Sequence, residues 1–136
     1  MTRYQVQDDL EERLRAMDSC EFVDRNGIRV LSVEEEEVRV GMEVEGKRNA
    51  FGTAHGGAIF SLADQAFAIA ANKDGTPQVA ISANINFLNP ASGSLEAVAR
   101  KVEENRRTSV YQVIVYQEDK VVAIFQGVGY KLRERD

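Results

Sequence analysis

The segment from Gly57 to Asn72 carries one ionisable side chain, Asp64, in a run made largely of Ala, Ile, Leu and Phe. Paired glycines, Gly56 and Gly57, open it, and Gly75 and Pro77 supply the stop. A helix over about 57–72 is therefore apolar on nearly every side. Such a helix cannot lie on a surface. The rest of the chain has to enclose it, which excludes most architectures open to a short chain.

The flanking patterns say how. Val6, Leu10, Leu14 and Met17 recur at helical spacing, so residues 5–18 read as an amphipathic helix. A short strand is expected at 28–32. The acidic run Glu34–Glu37 reads as a solvated turn and strand start. Val38, Val40, Met42 and Val44 alternate as a half-buried strand does. Four more strands are expected at 79–87, 95–102, 109–117 and 121–132. Turn residues separate them at Asn89–Gly93, Glu104–Arg107 and Glu118–Lys120. Within 79–87, Val79, Ala83, Ile85 and Phe87 alternate with Ser82, Asn84 and Asn86. Strand 109–117 is apolar on both faces, as a central strand should be. Helix, two strands, long buried helix, four strands: the simplest way to bury that helix is an antiparallel sheet wrapped around it. This is an α+β arrangement, the hotdog fold. One sheet leaves part of the helix and the sheet edges uncovered, so a dimer is expected.

At 136 residues the chain is expected to form one domain over 1–136. A net charge of −5 argues against a nucleic-acid partner, whose binding surfaces are basic. The central helix, broken by Asp64 and Gln65, is too short and polar for a membrane span. The N-terminal residues lack an apolar signal region. A lone cysteine, Cys20, cannot form an internal disulfide and fits a reducing, cytoplasmic setting. One His and one Cys argue against a zinc site within a single chain, and no metal is expected. No nucleotide-binding glycine motif and no Gly-x-Ser-x-Gly elbow is present.

The chemistry concentrates around Asn49–Asp64. The first amides of a helix lack internal partners and sit at the positive end of its dipole. Glycines at 56 and 57 would let a substrate carbonyl approach them closely, or serve only as a turn. Asp64 is either a base or nucleophile, or a structural acid bonded across the helix to a group such as Ser61. His55 reads as a structural group holding the loop or the carbonyl site, with general base the alternative. Asn49 either pins the loop or positions water. Asp64 lies eight residues beyond Gly56, roughly 12 Å along one helix. An attacking group must come within about 3 Å of the carbon whose oxygen the amides hold. One chain cannot meet both demands. Two antiparallel copies can, so a site shared across a two-fold interface is expected.

The segment 49–72 resembles the hotdog-fold acyl-CoA thioesterases of the PaaI-like type, which carry an Asn-x5-His-Gly-Gly-x6-Asp pattern. Here it reads Asn49, His55, Gly56, Gly57, Asp64, and the similarity extends over Ala83–Ala91, Thr108–Tyr111 and Ala123–Gly127. The resemblance implies hydrolysis of acyl- or aryl-acyl-CoA thioesters with no cofactor, coenzyme A being part of the substrate. It implies that Gly56 N–H, with Gly57 alongside, polarises the carbonyl. Asp64 of the partner would attack or activate water. Asn49 and His55 would support the carbonyl site, and Ser82 would lie near Asp64 or the water. The smallest active unit would be a homodimer, two of which form a tetramer. Asn105, Arg106 and Arg107 could meet coenzyme A phosphates, or form an ordinary solvated turn. Phe51, Phe60, Phe67 and Phe87 could wall an acyl tail, or pack the core. Two rival readings are a non-catalytic acyl-CoA sensor, disfavoured by the acid, and a hotdog-fold hydratase or dehydratase, disfavoured because His55 precedes Asp64.

Overall fold

The computed structural model describes residues 9–132. Val6 and the start of the expected first helix lie outside them. Helix α1 (Leu10–Asp18) begins at Asp9, whose side chain accepts hydrogen bonds from the backbone N–H groups of Glu11 and Glu12. A second helix, α2 (Glu21–Arg25), has no counterpart in the sequence reading. One and a half turns are too short to display a helical period, and only Val23 and the following Ile28 are buried there.

Strands β1 (Arg29–Val33) and β2 (Val38–Met42) come next, then α3 (Gly56–Asn72) and four long strands: β3 (Gln78–Phe87), β4 (Leu95–Glu104), β5 (Thr108–Gln117) and β6 (Lys120–Lys131). They make one six-stranded antiparallel sheet in the order β1-β2-β4-β5-β6-β3. The expected alternation through Val44 continues into a buried side chain, but the ladder itself stops at Met42. The acidic run is solvated at Glu34–Glu36, whereas Glu37 is drawn back onto Arg39 and Arg100.

The sheet wraps α3. Leu62, Phe67 and Ile69 of the helix meet Val40, Val113, Val115 and Phe125 of the sheet in one buried cluster. Each such side chain contributes about 1.5–3 kcal/mol by leaving water. Edge-to-face contacts of Phe60 with Phe125, and of Phe67 with Tyr111, place two of the four candidate aromatics in this packing. Phe51 and Phe87 stay outside it, 91% and 53% exposed.

Enclosure of α3 is incomplete. Gly57, Ser61, Asp64 and Ala68, at intervals of three and four, form a stripe that this chain leaves only partly covered. Beside it, Gln65 donates to the Met17 carbonyl of α1 at 2.8 Å. The sheet has a matching opening. Strand β3 pairs with β6 on one side, and its other edge is free. That edge runs ten residues with neither a charge nor a proline. Natural sheets usually blunt an exposed edge with one or the other.

Candidate active site

The entry to α3 depends on Asn49. Its Oδ1 accepts from the backbone N–H groups of Phe51 (2.9 Å) and Thr53 (3.1 Å), and its Nδ2 donates to Thr53 Oγ1 at 3.2 Å. Asn49 therefore pins the loop, its amide occupied inside it. The loop is tied back through Ala54 N–H to the Ala91 carbonyl and His55 N–H to the Lys47 carbonyl, each 2.8 Å. That delivers His55 to the helix start.

His55 is the N-cap of α3. Its Nδ1 accepts from Gly57 N–H at 2.9 Å, so in the neutral ring the proton sits on Nε2. This explains Gly57: a Cβ there would stand 3.1 Å from His55 Nδ1. With the Gly57 amide taken up by the cap, Gly56 is the donor of the pair that stays open.

Gly56 differs. Its N–H has no partner among the described residues. A Cβ there would touch only the Phe87 ring, at an ordinary 3.4 Å, and no left-handed backbone requires glycine. Neither packing nor conformation requires the missing side chain, and its absence leaves the free amide open to close approach.

Asp64 sits half-buried at the middle of α3. Among the described residues its carboxylate has no hydrogen-bond or ion-pair partner. Ser61, the structural partner considered for it, instead donates to the Gly57 carbonyl at 2.7 Å. Burial pushes the Asp64 carboxyl above its ordinary range, with no opposing charge to lower it. Gly56 and Asp64 lie on one uninterrupted helix, so the eight-residue separation of about 12 Å holds within a chain.

Ser82 does not join this group. It pairs with Val128, while its neighbour Ala83 pairs with Gly127, whose open side faces Phe67 of α3. Within one chain Ser82 thus stands on the sheet face turned away from its own helix. The parity is set by a bulge between Ala80 and Ser82. The same bulge turns Val79 away from the face of Ala83, Ile85 and Phe87.

Asn105 shapes the β4–β5 turn, its Oδ1 accepting from Arg107 N–H (2.9 Å) and Thr108 N–H (2.8 Å). Arg106 and Arg107 are exposed there, with no side-chain partner among the described residues. Thr108 and Val79 both pair with Tyr130, which aligns this turn with the start of β3 and the C-terminal end of α3. In one chain the arginines are thus at the opposite end of the helix from Gly56, about 24 Å away along its axis.

Sequence reasoning missed Phe87 as a neighbour of Gly56. The contact joins a strand end to a helix start distant in sequence, and no local pattern announces it. Among the described residues no group of three or more His, Cys, Asp or Glu side chains could hold a metal. No helix there is long and apolar enough to cross a membrane.

Comparison with known proteins gives the family. Residues 51–124 match the model of the Thioesterase superfamily. The acyl-coenzyme A thioesterase PaaI of Escherichia coli is 39% identical over 110 residues, covering 78% of this chain and 79% of the relative. The structure of E. coli PaaI superimposes with a TM-score of 0.83 at 32% identity, over 91% of this chain and 94% of that one. A point-mutant structure of the phenylacetic acid degradation protein PaaI from Thermus thermophilus gives 0.78 at 39% identity, over 82% and 98%. This chain is accordingly a member of the thioesterase superfamily, a hotdog-fold thioester hydrolase of the PaaI type.

Proposed function

We propose that the protein hydrolyses acyl-coenzyme A thioesters at a site assembled from two copies of the chain. The observation that carries this is the separation of the two reactive groups. A free Gly56 amide and a partnerless Asp64 carboxylate share one helix, too far apart to serve one carbonyl. The uncharged edge of β3 is a natural place for a second copy to add, strand against strand around a two-fold axis. The two α3 helices would then run antiparallel, with Gly56 of one opposite the partner's Asp64. The same operation would carry the partner's Arg106–Arg107 turn about 12 Å past Gly56. A coenzyme A arm could span that gap from thioester to phosphates, which guanidinium groups bind well.

Chemistry follows from these positions. The thioester oxygen accepts from Gly56 N–H at the positive end of α3, a preorganised donor for the developing oxyanion. The partner's Asp64 acts in one of two ways. It takes a proton from water as the oxygen attacks the carbonyl carbon, or it attacks directly to form an anhydride that water opens. In both, the C–S bond breaks, the thiolate of coenzyme A leaves and is protonated, and the acid is released. Burial raises the proton affinity of Asp64 and so improves it as a base. His55 and Asn49 hold the donor in place. Coenzyme A enters with the substrate, and no cofactor or metal takes part. Two dimers joining as a tetramer, in the cytoplasm, complete the reading; the exposed, unpaired Cys20 suits a reducing compartment.

Mixed dimers test the shared site. Gly56→Ala and Asp64→Asn homodimers should both release little thiol from acyl-CoA. A purified mixed dimer holds one intact site and should recover about half of wild-type turnover, since complementary defects on separate chains leave one complete constellation. No recovery in a verified mixed dimer rejects the shared site.

A further inference from the structure

We infer that Phe87 is a specificity-determining residue of this site, the apolar wall against which the acyl group lies while its carbonyl meets Gly56 N–H. The inference rests on the thioesterase reading and goes beyond it, to how substrates are discriminated.

Three observations support it. First, the ring stands against Gly56, the residue that carries the free amide: Phe87 Cζ, Cε1 and Cε2 lie 3.4, 3.6 and 3.9 Å from the position a Gly56 Cβ would take. Second, the backbone beneath the ring is fixed. Phe87 pairs with buried Ala123 on the helix-facing side of the sheet. The next residue, Leu88, donates its N–H to the Val122 carbonyl at 2.8 Å, and Asn89 Nδ2 donates to the Val121 carbonyl at 2.7 Å. Third, the ring is 53% exposed. The core phenylalanines stack with other rings, whereas Phe87 makes no aromatic pair among the described residues.

A half-exposed ring on a fixed backbone is a large apolar surface with few torsions left to order. Here it borders the one unpartnered amide of the helix start. Any acyl group whose carbonyl reaches the amide must lie beside the ring. An acetyl group is too small to cover it, while a hexanoyl chain or an aryl group can, so Phe87 discriminates by acyl bulk.

The test compares wild type, Phe87→Ala and Phe87→Leu on acetyl-, hexanoyl- and benzoyl-CoA by thiol release, with oligomeric state checked by size-exclusion chromatography. Phe87→Ala should lower kcat/KM about tenfold or more for benzoyl- and hexanoyl-CoA, chiefly through KM, and less than about twofold for acetyl-CoA. Phe87→Leu, which keeps apolar volume without the flat ring, should restore hexanoyl-CoA turnover more than benzoyl-CoA turnover. Equal losses on all three substrates, or losses that track dissociation of the oligomer, overturn the inference and leave the thioesterase reading standing. A wild-type protein that releases thiol from none of the three overturns both.

Discussion

At its C-terminal end α3 is tied down by polar groups that are fully used. Buried Arg13 of α1 donates to the carbonyls of Asn72 (3.3 Å) and Gly75 (3.0 Å). Asn72 Nδ2 donates to the carbonyls of Ala68 and Gln78, and its Oδ1 accepts from Gln78 N–H. Gln78 Nε2 donates to the Ala71 carbonyl, and Ser109 Oγ donates to Gln78 Oε1. At its N-terminal end the same helix has one amide capped by His55, one left free, and a half-exposed aromatic ring beside it. Interior polar groups normally find partners, so the end that satisfies them all is stability. The N-terminal half, from the free Gly56 donor to the partnerless Asp64 at mid-helix, is where the proposed site would take a ligand and a second chain.

The sharpest way to break this contrast is Asp64→Asn. Turnover should fall by about 10³-fold, through loss of the base or nucleophile. Stability should move the opposite way. The folded carboxyl titrates above its unfolded value, so the folded state binds more protons than the unfolded state between the two, and wild-type stability declines as pH rises through that window. Melting temperatures of wild type and Asp64→Asn should converge below the ordinary carboxylate range. Above the raised folded value the variant should be the more stable. A variant with wild-type turnover, or one less stable at neutral pH, would remove the partnerless acid from the picture.

Gly56→Ala comes next. The added methyl meets only the Phe87 ring at ordinary contact distance and favours the helix, so melting temperature should hold or rise slightly. Activity should drop by about 10²-fold as the methyl obstructs approach to the amide. Thiol-release kinetics beside a thermal melt separate the two effects, and a parallel fall in both would mean the glycine is structural.

The smallest effect on turnover belongs to the tied end. Asn72→Ala removes three hydrogen bonds and strands the backbone N–H and carbonyl of Gln78, which should cost about 2 kcal/mol of stability. Measured well below the lowered melting temperature, kcat/KM should stay at the wild-type value. A large loss of kcat/KM there would show that the two ends are coupled.

Particular residues show where sequence reading stopped. Alternation already put Ser82 on the face opposite Ala83, Ile85 and Phe87, and the fold kept it there. Val79 does not keep the face that alternation assigns it: one extra residue at the bulge reverses face parity, and nothing in the local pattern marks it. Arg13 falls between the apolar positions Leu10, Leu14 and Met17 of the first helix, yet it is buried against the end of α3. The four phenylalanines were indistinguishable by type, and the structure divides them between core and surface.

The sequence by itself determined the enclosed helix, the strands that wrap it and the spacing of His55, Gly56 and Asp64, because periodicity and helix rise act between near neighbours. Only the tertiary structure decided which glycine amide stays free, which face Val79 takes and which ring borders Gly56. Those depend on strand register and on contacts between residues far apart in the chain, and packing selects them only once the sheet has closed around α3.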